Sequence, residues 1–340
     1  MAVVPFRIDA NAGRTGVAGS RVVLWLAAGL ALTAPGRAAA ADEFPSRTVK
    51  IVMGFGPGGL GDIAGRAIGE VMSKSIGQPV IIENMPGAGG ATAALAVARA
   101  APDGHSMLWV SSQNAIAPSM FKAMPYDWSR DFTPIGPMAT FAFVLFVHKD
   151  SPLKTVQDVI AAAKKDPDKF NFGSIAVRTA QNLSTLQFVS MAGLKVPTVP
   201  FRTTGEVMTG LISGNIQAAF ETIPGAIGQI NAGQMRAIGV SSSKRNPFLP
   251  DVPTIAESGV PNYLTYSWNG MVLPAKTPLN VVMRVNKEIN SAIATPEIQK
   301  RFRELIMEPR TGTPEDLQKI YEIDVTVWRN IITEAKIQPN

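Results

Sequence analysis

The chain has 340 residues, 32 Lys and Arg against 26 Asp and Glu, a net charge of +6, two histidines and no cysteine. The missing thiols exclude disulfides, cysteine nucleophiles and a lipidated cysteine anchor, and with so few histidines they leave little from which to build a nitrogen- or sulfur-rich metal site. The basic pairs Lys164-Lys165, Lys244-Arg245 and Lys300-Arg301 are scattered among acids, so they read as solvated faces and leave no nucleic-acid footprint.

A basic lead carrying Arg7, Arg14 and Arg21 precedes an apolar run at 22–32, and small residues at Ala38 to Ala41 precede Asp42. This is the layout of a secretory signal, and the run is too short to span a bilayer comfortably. The expectation is a signal peptide at 1–41, cleaved to leave a periplasmic chain starting near Asp42. Arg7, Arg14, Arg21, Arg37 and Asp9 lie ahead of that point, so cleavage lowers the net charge of +6 by three, to +3.

The β-branched run at 48–53 predicts a strand. Apolar residues at 63, 64, 67, 68, 71 and 72 predict a helix face, with Asp62 as its N-cap. Between them lies Gly54-Phe55-Gly56-Pro57-Gly58-Gly59-Leu60-Gly61-Asp62. Its glycines let backbone approach a ligand, and the N–H groups and dipole of the following helix favour an anion there. The letters Gly54-x-Gly56-x-x-Gly59, with Glu83 24 residues after Gly59, also match a dinucleotide fingerprint. An enzyme using a nucleotide cofactor is therefore an alternative. Against it, Pro57 removes an N–H that a pyrophosphate cradle would use, and an exported chain meets no free nicotinamide pool.

A second strand at 78–83 leads into a second glycine loop, Asn84-Met85-Pro86-Gly87-Ala88-Gly89-Gly90, and a small-residue helix at 91–100. A third strand at 106–110 ends in Ser111-Ser112-Gln113-Asn114. In an open parallel sheet, three such loops share the carboxyl edge where ligands sit. Apolar runs at 135–140 and 143–147 meet at Phe141-Ala142-Phe143. A second βα set follows, with helices near 155–165, 180–191 and 205–213 and strands at 170–174, 198–201 and 217–222. A strand at 236–241 leads back toward the first set. A strand at 266–273 and two or three helices between 278 and 335 complete the chain, two of them opened by Thr295-Pro296-Glu297 and Thr313-Pro314-Glu315-Asp316. The fold class is α/β, in two lobes of similar size. No G-x-S-x-G elbow exists, and Asp62, Glu83 and Glu221 sit where a cap or a ligand hydrogen bond explains them. The reading is a protein that is not an enzyme and uses no cofactor or metal.

Several motifs occur together in one order. Phe44-Pro45-Ser46 leads to Phe55-x-Pro57-Gly58-Gly59-x-x-Asp62, followed by Glu83-Asn84-x-Pro86-Gly87-Ala88-Gly89-Gly90 and Ala101-Pro102-Asp103-Gly104. Pro125-Tyr126-Asp127, Asn171-Phe172-Gly173-Ser174 and Leu249-Pro250-Asp251-Val252-Pro253-Thr254 come later. From about Phe44 to the C-terminus the chain resembles the periplasmic solute receptors of tripartite tricarboxylate transporters, the TctC or Bug family. The resemblance implies a type II periplasmic-binding-protein fold with two α/β lobes, 42–143 plus 244–340 and 144–243, joined by a two-segment hinge. It implies a monomer that closes on a small carboxylate and delivers it to the membrane subunits of a transporter. The residues it assigns to the ligand are Phe55, Gly58, Gly59 and Asp62, then Ser111, Ser112 and Asn114, then Gly173, Ser174 and Thr179. Loop 201–205 and Glu221 are further candidates.

Departures from the family pattern carry information. Arg178 stands where glycine is usual and Asn182 where histidine is frequent, so Arg178 is expected to grip a second carboxylate. Phe141 and Phe143 replace smaller residues and are expected to wall the pocket against a flat or apolar ligand. Together they suggest a dicarboxylate with an apolar or aromatic middle. A periplasmic ligand-sensing arm for a signalling system needs the same closing fold and is the other alternative.

Overall fold

The computed structural model describes residues 44–175 and 179–338. The expected signal segment at 1–41 and Arg178 lie outside them.

Strand β1 (Val49–Met53) buries every residue except Lys50, as a strand covered on both faces should. Helix α1 (Leu60–Ile76) begins earlier than its apolar periodicity suggests. Gly59, not Asp62, is the N-cap, and Asp62 is the third helical residue. The helix stops at Gly77, whose φ of 72° suits glycine. Strands β2 (Val80–Asn84) and β3 (Ser106–Ser111) flank β1 in parallel, with helix α2 (Ala91–Ala98) between them in sequence. The three carboxyl ends therefore lie along one edge. Helices α3 (Ser112–Ile116) and α4 (Trp128–Asp131) follow.

Two apolar runs expected as separate elements form one 17-residue strand, β4 (Phe132–His148). Phe141-Ala142-Phe143 continues the extended backbone between them. Helix α5 (Val156–Lys165), strand β5 (Phe172–Ile175), helix α6 (Ala180–Met191), strand β6 (Thr198–Phe201), helix α7 (Thr204–Ile212) and strand β7 (Ala218–Thr222) form the second βα set. Helix α8 (Ile223–Asn231) was not anticipated, although Thr222 followed by Pro224 is an N-cap signal. Strands β8 (Met235–Val240) and β9 (Tyr266–Pro274) come next. Helices α9 (Leu279–Ala294) and α10 (Pro296–Glu304), the short strand β10 (Glu308–Pro309) and helix α11 (Pro314–Glu334) finish the chain.

Among the described residues the strand order is β2-β1-β3-β9-β4-β7-β5-β6, with β8 and β10 also pairing to β4. β4 changes partners along its length. Phe132 to Ala142 pair with β9, whereas Phe143 to His148 pair with β7 and β8. Its register with β9 slips near Pro134 and Pro137, which have no N–H to donate. β9 alternates its side chains, so Ser267 and Asn269 share one face and Trp268 takes the other. Trp268 is fully buried and donates its indole N–H to Asp324 of α11 at 2.6 Å, as Trp328 does at 3.2 Å. Among the described residues no helix is long and apolar enough to cross a membrane.

Candidate functional site

Strand register assembles a cavity of about 400 Å³ over the carboxyl edge of the sheet. Three cross-strand pairs form its floor: Ser111 opposite Asn269, Phe141 opposite Ser267, and Phe143 opposite Thr222. All six residues border the cavity, Phe143 from beneath, with no surface of its own exposed to it. The Ser112 hydroxyl, buried beside them, bonds the Ser267 hydroxyl at 2.8 Å and accepts the Trp268 N–H at 3.1 Å. The two phenyl rings are backed by core, Phe143 being wholly buried and its N–H held by Ser241 at 2.8 Å.

Helices α1, α3, α6 and α8 each bring their N-cap or first turn to this cavity. Three of them are capped by their own side chains: Ser111 for α3, Thr179 for α6 and Thr222 for α8. α1 is different. No side chain caps it, and its first backbone bond runs from Ile63 N–H to the Gly59 carbonyl at 3.0 Å. The N–H groups of Leu60 and Gly61, both cavity-lining residues, have no partner among the described residues. They stand at the positive end of a 17-residue helix. No Lys, Arg or His lines the cavity among the described residues.

The loop that presents these groups is clipped from behind. The Asp62 carboxylate accepts from Gly58 N–H at 2.9 Å, from Arg66 Nε and Nη2 at 3.0 Å, and from Asn84 Nδ2 at 3.0 Å. Asn84 also donates to the Phe55 carbonyl at 3.1 Å. Arg66 bonding holds the Asp62 carboxyl down at about 2, with Gly58 and Asn84 adding to it against the opposing effect of burial. Gly58 adopts φ 84°, a conformation only glycine takes without strain.

The structure thus sorts the residues singled out by sequence. Phe55, Gly59, Ser111, Ser112, Phe143 and Thr179 line the cavity, as does Phe141. Asp62 and Gly58 bond each other behind it. Asn114 is spent on the α3 cap, accepting from Ser111 N–H at 2.9 Å and donating to the Tyr126 hydroxyl at 3.3 Å. Ser174 is wholly buried and accepts from Asn182 at 3.0 Å. Gly173 is a packing glycine: a Cβ there would lie 2.2 Å from the Ile216 Cδ1. Glu221 lies one layer out, bonded to the cavity residue Gln181 at 3.2 Å. In loop 201–205, Thr204 reaches Glu221 rather than the cavity, at 2.8 Å. Gln113, Gln181, Thr222, Ser267 and Asn269 line the cavity without having been singled out as ligand residues. Thr222 could have been found from its capping position ahead of Pro224, but Ser267 and Asn269 carry no local signal.

Comparison with known proteins follows this geometry. A family model described as Tripartite tricarboxylate transporter family receptor matches residues 64–337. A Pseudomonas sp. (strain P51) protein, described as the UPF0065 protein in the tcbD-tcbE intergenic region, is 35% identical over 317 residues, covering 92% of this chain and 94% of that one. Two solved structures from Rhodopseudomonas palustris are similar over their full length. Rpa4515 with adipate is 30% identical, with a TM-score of 0.76 and coverage of 87% of this chain and 100% of the other. MatC with bound malate is 29% identical, with a TM-score of 0.71 and coverage of 85% and 100%.

Proposed function

The chain belongs to the tripartite tricarboxylate transporter receptor family, and we propose that it is a periplasmic receptor that closes two lobes over a small carboxylate and delivers it to the transporter's membrane subunits. One observation carries this reading: the uncapped N–H groups of Leu60 and Gly61 open into a cavity whose described lining has no cationic side chain. Such a backbone site takes a small anion with no help from lysine or arginine, and the family to which the chain belongs points to a carboxylate. The malate and adipate bound by the two R. palustris proteins fall in the same class. Phe141, half-buried at the cavity, suits a ligand with an apolar or flat body. A second carboxylate gripped by Arg178 is the finer form of the proposal, and Arg178→Ala tests it by a loss of affinity for dicarboxylates alone. The change of strand partners at Ala142 and Phe143 supports a hinge there, with 42–143 plus 244–340 as one lobe and 144–243 as the other.

A thermal-shift panel of mono-, di- and tricarboxylates, aromatic ones included, tests the class. A true ligand at about 100 times its Kd adds about 2.7 kcal/mol, a rise of a few degrees for a chain of this size. A flat panel, together with no organic acid released on denaturing the purified protein, would refute it.

A further inference from the structure

Gln181 is the second residue of α6 and lines the cavity. Behind it, Glu221 is 1% exposed. The Glu221 carboxylate accepts from Gln181 Nε2 at 3.2 Å, from Thr222 N–H at 2.6 Å and from the Thr204 hydroxyl at 2.8 Å. No cation pairs with it among the described residues. Three neutral donors hold the charge without cancelling it.

Two consequences follow for the cavity wall. First, Glu221 sits beside the capped starts of α6 and α8, so its negative charge offsets the positive ends of those two helices. At α1, further along the strand order past β4, β9 and β3, the first-turn carboxylate Asp62 is instead paired with Arg66, so its charge is cancelled and the positive end of the helix is left open to the cavity. The cavity is thus polarised, anion-seeking at α1 and not at Gln181. Second, the carboxylate fixes the Gln181 amide. A carboxylate has only acceptors, so the NH2 group must face it. Gln181 Oε1 has no protein partner among the described residues and is left as an acceptor for whatever fills the cavity.

We infer that the Gln181 wall selects ligands that carry a hydrogen-bond donor, a hydroxyl or an amino group, in addition to the carboxylate held at α1. This rests on the carboxylate-receptor reading and names the substituted acids as its substrate class. An unsubstituted acid would leave the Gln181 oxygen and the charge behind it facing a hydrocarbon, which a buried acceptor tolerates poorly. Glu221 acts through Gln181 and is a positioning residue.

The test is calorimetric titration of the full processed protein with matched acids. The sets are succinate, malate and aspartate; glutarate, 2-hydroxyglutarate and glutamate; and benzoate, 4-hydroxybenzoate and 4-aminobenzoate. In whichever set binds, a hydroxy or amino member should bind about tenfold tighter than its parent acid. Gln181→Met should shrink that ratio to about twofold. Glu221→Gln, which keeps the shape but frees the amide to rotate, should shrink it too, with an unchanged circular dichroism spectrum certifying the fold. Parent acids binding as tightly as their substituted partners would overturn the inference while leaving the receptor reading intact. So would a Gln181→Met variant that weakens every acid equally. If no acid in any set binds and denaturing the purified protein releases no organic acid, the receptor reading itself falls and the inference with it; a released acid that carries neither a hydroxyl nor an amino group overturns the inference alone.

Discussion

Two buried aspartates respond to pH in opposite directions. Asp62 is held at about 2, below its ordinary 3.8, chiefly by its hydrogen bonds from Arg66. Its ionised form is favoured by folding, so its contribution is full above pH 4 and is lost as pH falls toward 2. Asp62→Asn should be less stable than the parent at pH 7, and urea midpoints of the two should converge as the pH drops through that window. The variant should also bind its carboxylate about tenfold more weakly at neutral pH, because the loop holding Gly58 is no longer clipped. Asp324 behaves the other way. Burial pushes its carboxyl up to about 6, against the two indole N–H bonds that favour the charge. Folding therefore favours its proton, and the parent loses stability as pH rises from about 4 through 6, by roughly 3 kcal/mol at most. Asp324→Asn should lack that slope, read as the difference in unfolding free energy between pH 4.5 and pH 7.5.

The two glycine loops meet at a point where neither can grow. A Cβ on Gly54 would lie 2.6 Å from the Gly90 Cα, and a backbone atom cannot swing aside as a side chain can. Gly54→Ala should cost about 1–3 kcal/mol and move the starts of α1 and α2 apart. Gly56→Ala is the matched control, since a Cβ there meets nothing within 4 Å. Its stability should stay within about 0.5 kcal/mol of the parent, so any change in its affinity reports the cavity alone. These loops were legible in the sequence because their signal is local: glycine, a β-branched run before and an apolar helix period after. The same locality misplaced the α1 cap, since Asp62 can serve either as N-cap or as third residue until its partners Gly58 and Arg66 are seen. Gln181 and Glu221 are far apart in sequence, and only the packing of α6 on β7 makes them one unit.

On the proposed reading, closure is the event that links the whole molecule to function. A ligand that bridges the α1 loop and the Gln181 wall would shift an open population toward a closed one. Small-angle scattering should show a smaller radius of gyration when a bound carboxylate is added, and an unchanged value would contradict two-lobe closure. At this scale the sequence was legible for the α/β class and the second βα set. It was not legible for the cavity floor. Phe141 faces Ser267, and Ser111 faces Asn269, because β9 inserts between β3 and β4. Such pairings are set by topology, and no spacing within either segment announces them.

The same insertion governs when the chain can fold. β4 spans Phe132–His148 but finds its partners in β7 and β8 and finally in β9, which ends at Pro274. β3 also waits for β9 to reach its second neighbour. The centre of the sheet is therefore completed only when the last third of the polypeptide is present, a contact pattern that makes folding slow. For a chain threaded across a membrane from its N-terminus, that delay is useful. If this chain is exported as proposed, late pairing of β9 would keep the leading segments unlocked until most of the chain has passed.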